Sequence, residues 1–268
     1  MRSSFQIIKE HLNNFYLIIR LSIFELKSNN NSHYLGVLWE VINPLILISI
    51  YWFVFGFGIR GNQSVGGVKY LPWLLSGITV WFFISPAIVQ GSKSIYSRIN
   101  IISKMNFSMS VIPTYVITSM FYQHLILTVI SMVIMSLYGY LPTLYILQLP
   151  YFMLTTLILL ISISLITSTL STIIRDVQMV VQSIVRVLFY ITPILWTVEK
   201  LPYPIRMLMK LNPFYYIVEG YRSALLGENW YFIDHKVYTL YFWVLILVSL
   251  LIGSILHVKF RKRFVDYL

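Results

Sequence analysis

The sequence predicts an all-α integral membrane protein with six transmembrane helices. Hydrophobic residues make up 58% of the 268-residue chain and charged residues only 11%, proportions that lie outside the range of ordinary soluble domains. The apolar runs lack the alternation of barrel strands, so the spans are predicted to be helices of roughly 20 residues. The six predicted spans are Val41–Ile59, Leu71–Val89, Ile112–Leu137, Leu144–Ile174, Met179–Val198 and Tyr238–Val258.

Basic residues concentrate before the first predicted span, between the second and third, and after the sixth. By the positive-inside rule these segments are cytoplasmic, and so are both termini. The net charge of +11 therefore indicates membrane topology and contact with lipid headgroups, not binding to nucleic acid. We expect a multi-pass protein of a cytoplasmic membrane. The absence of cysteine from the sequence excludes disulfides and thiolate metal sites.

Residues 1–268 are predicted to form one transmembrane domain. Two segments of it depart from a plain six-helix bundle. In residues 1–30 apolar side chains recur at helical spacing while Lys9 and Arg20 project elsewhere, which predicts a helix in the inner interface. Spans one to five occupy residues 41–198 and span six residues 238–258. Between them lies the second unusual segment, residues 199–237.

Residues 199–237 are too apolar for a free external loop, yet they carry charges and helix-breaking residues. This combination predicts short external helices that re-enter the outer leaflet and gate a cavity. A surface lid without a gating role is the alternative. Glu219 and Arg222 lie three residues apart, close enough to share one helical face. The candidate gate residues are Pro202, Pro204, Asn212, Pro213, Glu219 and Arg222.

Several sequence runs resemble the permease subunits of polysaccharide-exporting ABC transporters over nearly the whole chain. They are YLGVLWEVINPLI, YLPWLLSGITVWFF, IISKMNFSMSVIPTYVITSMFY, RDVQMVVQSIVRVLFYITPILW and LNPFYYIVEGYRSALL. The runs KEHLNNFYLIIRL, SKMNF, WYFIDH and HVKFRKRF make the resemblance strongest to the wall teichoic acid branch. The resemblance implies export of undecaprenyl-diphosphate-linked teichoic acid, a polyol-phosphate polymer, in a Gram-positive bacterium. Export of an O-antigen-like or capsular polysaccharide is the alternative.

The sequence contains no G-x-x-x-x-G-K-[ST] run, so nothing in the chain is predicted to cradle a nucleotide. The chain is not predicted to be an enzyme by itself or to hold a cofactor; ATP and Mg²⁺ belong to a separate ATPase. The resemblance implies a second copy of the chain, two ATP-binding subunits and lipid-linked teichoic acid as partners, together with membrane lipids.

The segment Ser94–Met105 is predicted to dock on the ATPase as a short amphipathic helix, the coupling helix of the resembling family. A solvated basic turn is the alternative. Its candidate residues are Ser94, Ile95, Tyr96, Arg98, Ile101, Ile102, Lys104 and Met105.

A sugar-phosphate polymer needs a wide path, and aromatic faces suit the C–H surfaces of sugars. The candidate path residues are Tyr51, Trp52, Phe55, Phe82, Phe83, Arg186 and Tyr190. Arg186 either meets a lipid-linked diphosphate or pairs with a helix carbonyl, with Asp176 or with Glu40. His124, in the third predicted span, is expected to make an interhelical hydrogen bond.

Two other classes of protein fit the sequence less well. A membrane glycosyltransferase would need a cytoplasmic acidic site, and no paired-carboxylate arrangement is visible. The five histidines share no metal-ligand spacing. A secondary transporter would be expected to show repeated halves and intramembrane carboxylates, and the sequence shows neither convincingly.

Overall fold

The computed structural model describes residues 2–30, 34–61, 63–98, 108–261 and Phe264. The helices in these ranges are α1 Arg2–Asn13, α2 Phe15–Asn30, α3 Trp39–Tyr51, α4 Tyr70–Lys93, α5 Val111–Leu137, α6 Leu149–Ile173, α7 Asp176–Ile191, α8 Tyr203–Met209, α9 Pro213–Leu226, α10 Tyr231–Asp234 and α11 Lys236–Phe260. A π-helical segment, Trp52–Ile59, continues α3, and a 3₁₀ turn, Leu144–Gln148, precedes α6.

Five helical segments in the described ranges are long and apolar enough to cross a membrane. They are Trp39–Ile59, Tyr70–Lys93, Val111–Leu137, Leu144–Ile173 and Lys236–Phe260. They confirm the predicted class, an all-α integral membrane protein, and they correspond to the first four predicted spans and the sixth.

The predicted fifth span, Met179–Val198, is corrected by the structure. Its helix α7 has 16 residues, and at 1.5 Å per residue it is about 24 Å long, shorter than the roughly 30 Å of the hydrocarbon core. The helix ends at Ile191 because Thr192 is extended, with a ψ angle of 132°. Thr192 precedes Pro193, and the proline ring disfavours the helical conformation of the residue before it.

Helix α4 is the centre of the bundle and packs against α5, α6, α7 and α9. In its most apolar stretch 78% of the residues are buried, compared with 11% in α3 and its π-helical extension. Small residues permit this packing. A Cβ atom at Gly91 would lie 2.2 Å from Oγ of Ser164 on α6, and one at Gly77 would lie 2.8 Å from Nη2 of Arg222 on α9.

The N-terminal segment, predicted as one interfacial helix, consists of two helices that meet at Asn14. The Nδ2 amide of Asn14 donates to the carbonyl of Glu10 at 2.8 Å, a local bond of the kind that competes with helix continuation. Large apolar side chains remain exposed on this pair of helices, as an interfacial position requires. They are Phe5, Ile8, Leu12, Phe15, Tyr16, Ile23 and Phe24.

Helix α1 is held to the bundle by Glu10. Its carboxylate accepts from Nη1 of Arg261 at 2.6 Å and from Oγ of Ser110 at 2.5 Å. Burial raises the pKa of Glu10, but the hydrogen bonds from Ser110 and Arg261 and the charge of Arg261 outweigh burial and leave the pKa below its ordinary value. Glu10 is therefore ionised at neutral pH and joins α1 to the start of α5 and the end of α11.

The segment after α7 folds into the two short helices that the sequence predicts, α8 and α9. Asn212 caps α9, because its Oδ1 accepts from the backbone N–H of Phe214 at 3.0 Å, and Pro213 occupies the first turn. Phe214 reaches Trp81 on α4, with ring centroids 6.1 Å apart. Trp81 lies about 17 Å along α4 from Tyr70 at 1.5 Å per residue, so α9 re-enters the bundle.

The close packing of α9 predicts a severe effect of Gly220→Ala. A Cβ atom at Gly220 would lie 2.1 Å from Cε1 of Phe152 on α6, and overpacking of this kind costs about 1–3 kcal/mol. The variant should unfold at a lower temperature than wild type in detergent. Gly58→Ala is the control, since its Cβ would meet its nearest neighbour at 3.9 Å. Equal midpoints of thermal unfolding for the two variants would contradict this packing.

Candidate functional site

A cleft of about 1150 Å³ opens between α3, α4, α5 and α7 and extends to α2. It exists because α3 makes few contacts with the other helices, while α5 and α7 both pack on α4. The cleft is larger than the 300–1,000 Å³ typical of small-molecule sites. It is the principal concave surface of the described chain and therefore the candidate functional site.

One end of the cleft is polar and lies near the basic segment that follows α4. Arg98 forms an ion pair with Glu25 of α2, and both side chains are largely buried. Lys93 and Arg186 also line the cleft, and no carboxylate among the described residues forms an ion pair with either of them. Arg186 is thus not bound to Asp176 or Glu40, as one reading of the sequence expected, and its charge is available to a ligand.

Several aromatic side chains line the remainder of the cleft, beside aliphatic and polar ones. Of the seven path residues predicted from the sequence, five line it: Tyr51, Phe82, Phe83, Arg186 and Tyr190. Trp52 and Phe55 do not line it. The chain becomes π-helical at Trp52, which changes the angular spacing of successive side chains. The Trp52 ring consequently packs on Phe57 at 5.1 Å.

Sequence reasoning missed two groups of cleft residues. Trp81 and Phe189 both line the cleft, with ring centroids 5.7 Å apart. Three amide side chains, Asn43, Gln90 and Gln123, also line it. Polar side chains inside predicted spans are a signal that could have identified Asn43 and Gln123, because such groups are costly in lipid. Gln90 lies one residue beyond the predicted second span.

His124 lies at the inner wall of the cleft and is buried. Its Nε2 lies 2.8 Å from the hydroxyl of Tyr221, and Phe83 stacks on its ring with centroids 5.0 Å apart. The interhelical hydrogen bond predicted for His124 is therefore present. Its partner, Tyr221, belongs to the re-entrant helix α9.

Arg222, on the same helix as Tyr221, is buried and has three partners. It forms an ion pair with Glu219, donates from Nη2 to the carbonyl of Pro193 at 3.0 Å, and lies 4.0 Å from the ring centre of Trp73. The contact between Glu219 and Arg222 has the spacing predicted from the sequence. Arg222 also fastens α9 to the break that follows α7.

The other predicted gate residues occupy the ends of the short helices. Pro202 immediately precedes α8, and Pro204 lies in the first turn of α8. Nδ2 of Asn212 donates to Oγ1 of Thr192 at 2.8 Å. The gating role of these residues stays a prediction.

The predicted ATPase-docking segment is only partly described. Ser94 and Ile95 are buried, and Ile95 packs in a small core with Ile18 and Val111, so neither presents a surface to a partner. Tyr96 donates to Oε1 of Gln178 on α7. The candidates Ile101, Ile102, Lys104 and Met105 lie outside the described residues, and the docking role of the segment stays a prediction.

The re-entrant helices, the cleft and the spanning helices together define a membrane permease domain. A family model described as ABC-2 type transporter matches residues 16–226, so the chain belongs to the ABC-2 type transporter family. It is similar to the O-antigen export system permease protein RfbA of Klebsiella pneumoniae, with 27% identity over 257 residues that cover 95% of each chain. A permease of the same name from Myxococcus xanthus is 24% identical over 210 residues, 77% of this chain and 79% of that one.

The contacts of α9 predict that Glu219 and Arg222 act as a unit. Glu219→Ala and Arg222→Ala should each reduce export, since removal of one charge leaves the other buried without its partner. The double variant should lose less activity than the two single effects summed, with a coupling of about 0.5–3 kcal/mol. Export at matched membrane protein levels is the measurement, and strictly additive effects would show that the two charges act independently.

Proposed function

We propose that this chain is the membrane subunit of an ATP-driven exporter that moves a lipid-linked surface polysaccharide to the outer leaflet. The observation that supports this most directly is the lining of the cleft, which combines aromatic rings with the unpaired cations Lys93 and Arg186. Aromatic faces suit sugars, and guanidinium and ammonium groups suit a phosphate or diphosphate linkage. The lipid tail of the cargo would remain in the bilayer during transfer.

The exporter is proposed to contain two copies of this chain. Helices α3 and α7 border the cleft and carry large exposed apolar side chains, including Phe53 on the π-helical continuation of α3 and Met179 and Ile184 on α7. Each helix also has a shallow apolar groove, of about 490 Å³ on α3 and about 430 Å³ on α7. A second copy, related by two-fold symmetry, would cover these faces and enclose the path.

Two ATP-binding subunits complete the proposed assembly and supply the sites for ATP and Mg²⁺. The sequence has no phosphate-cradling loop of its own. The short turn Tyr96–Arg98 and the segment that follows it are the proposed contact with the ATPase. Membership of the ABC-2 family supports this division of labour.

The cargo is proposed to be an O-antigen-like glycan on a diphosphate carrier. The names of the relatives support this choice over wall teichoic acid, the polymer that the sequence resemblance favours. The cleft supports it too. Glu40, which forms no ion pair within the described residues, lines it, and its carboxylate repels a chain with a phosphate in every repeat. Amides and aromatic rings suit a glycan with one terminal diphosphate.

The test is reconstitution of the chain with its cognate ATPase in liposomes. We expect ATP hydrolysis to depend on this chain and to rise with a lipid-linked glycan, and the glycan to become accessible on the opposite face. A larger response to lipid-linked polyol phosphate would favour teichoic acid over the O-antigen-like cargo. Full transport activity without any ATPase would refute the proposal.

Arg186→Ala should weaken the response to cargo. Arg186 is exposed in the cleft, and loss of a charge-assisted hydrogen bond to a phosphate costs about 1.5–3 kcal/mol. The concentration of lipid-linked glycan that half-stimulates ATP hydrolysis should rise, while hydrolysis without cargo stays unchanged. Gln182→Ala on the same helix, which does not line the cleft, is the control. An unchanged half-stimulating concentration would remove Arg186 from the path.

The basic-segment bias predicts that both termini are cytoplasmic and that Gly139, Asn229 and Asn62 are external, Asn62 lying outside the described residues. This topology needs six crossings, so the 16-residue helix α7 must cross together with the residues that follow it. Because Gly139 has a φ angle of +93°, the neighbouring exposed Leu141 is the better position for a cysteine. Leu141→Cys and Asn229→Cys should react with an impermeant thiol reagent in intact cells. Ser97→Cys should react only after lysis, and the reverse pattern would invert the topology.

A further inference from the structure

The hydrogen bond between His124 and Tyr221 joins the wall of the cleft directly to the re-entrant helix α9. His124 is 3% exposed and Tyr221 is fully buried, and their polar atoms lie 2.8 Å apart. Around them the surroundings are apolar and aromatic: Phe83 stacks on His124, and Phe121 lies beside it. The bond is therefore an isolated polar contact in an apolar region.

Helix α9 also borders the cleft behind Trp81, whose ring meets Phe214 edge-on. The residue after Tyr221 is Arg222, which binds Glu219 and the carbonyl of Pro193. A displacement of Tyr221 thus displaces the contacts that fasten the external segment to the break after α7. His124 is the polar side chain of the cleft wall that bonds α9.

We propose that His124 is a positioning residue that holds α9 against the wall of the cleft through Tyr221, and that hydroxyl-rich cargo releases it. This inference rests on the proposed function. It states that binding of cargo in the cleft is what releases the external segment, residues 199–237. Separation of the pair in an empty cleft leaves an imidazole and a phenol without partners in apolar surroundings, which is costly. A sugar hydroxyl or its water can replace either partner, so opening is favoured when a glycan occupies the cleft.

Tyr221→Phe tests the proposal because it removes one oxygen and keeps the ring. Tyr216→Phe is the control: Tyr216 is a buried tyrosine of the same helix, and its hydroxyl lies 2.9 Å from that of Thr239 on α11 and 3.3 Å from that of Tyr151 on α6, away from the cleft. Both variants are studied in the complete complex with the ATPase in liposomes. Each variant loses buried hydrogen bonding by its own tyrosine hydroxyl. The midpoint of thermal unfolding of each variant measures the effect of that loss on stability.

The first readout is the labelling rate of Leu127→Cys, a buried cleft residue, by an impermeant reagent on the external side. Tyr221→Phe should raise this rate in the empty complex about five-fold, the shift expected from one net hydrogen bond. The second readout is the ratio of ATP hydrolysis with and without lipid-linked glycan. That ratio should fall in Tyr221→Phe and stay at the wild-type value in Tyr216→Phe.

His124→Gln provides the rescue, since a glutamine amide can still bond the Tyr221 hydroxyl, whereas His124→Leu cannot. We expect wild-type labelling for His124→Gln and fast labelling for His124→Leu. In complexes whose wild type responds to glycan, Tyr221→Phe and Tyr216→Phe could give equal labelling rates and equal hydrolysis ratios. That result would overturn the positioning role of His124 and leave the proposed exporter function intact. A wild-type complex with no response to any glycan would overturn both the proposed cargo and the positioning role.

Discussion

The burial of α4 is the constraint on which the rest of the structure depends. A helix that is apolar on every side must be surrounded, and α4 is surrounded by α5, α6, α7 and α9. Close approach requires small residues where helices cross, and Gly91 and Gly77 supply them against Ser164 and Arg222. Helix α3 is left with few partners. The cleft is the direct consequence, because it fills the space between α3 and the packed helices.

The helices that do not span the bilayer are held differently from those that do. Ion pairs of partly buried side chains position them: Glu10 with Arg261 for α1, Glu25 with Arg98 for α2, and Glu219 with Arg222 within α9. A partly buried pair is costly to break because the remaining charge is left without compensation. The first two pairs therefore fix α1 and α2 against the bundle, while Arg222 fastens α9 through the carbonyl of Pro193. The Glu25–Arg98 pair lines the cleft, so α2 is in physical contact with the proposed path of the cargo.

Membership of the ABC-2 family and the chemistry of the cleft lead to one account of function. The cleft offers rings, amides and two cations without ion-pair partners in the described chain, which is the complement of a glycan with a charged anchor. Helix α9 packs behind the cleft, against Trp81 and His124, which line it. Residues that would contact the proposed cargo therefore also contact α9.

The sequence by itself determined the spans and the local signals. The long apolar runs located α3 to α6 and α11. Asn212 and Pro213 marked the start of α9, and the three-residue spacing of Glu219 and Arg222 placed these two side chains on one helical face. These features depend on a residue's near neighbours in the chain. Only the tertiary structure decided that Ile95 is buried, that Trp81 lines the cleft while Trp52 does not, and that His124 bonds Tyr221, 97 residues away. Those outcomes depend on which helix packs against which face. The sequence pattern of one helix does not identify the helix that covers it, so these contacts could not be predicted from the sequence.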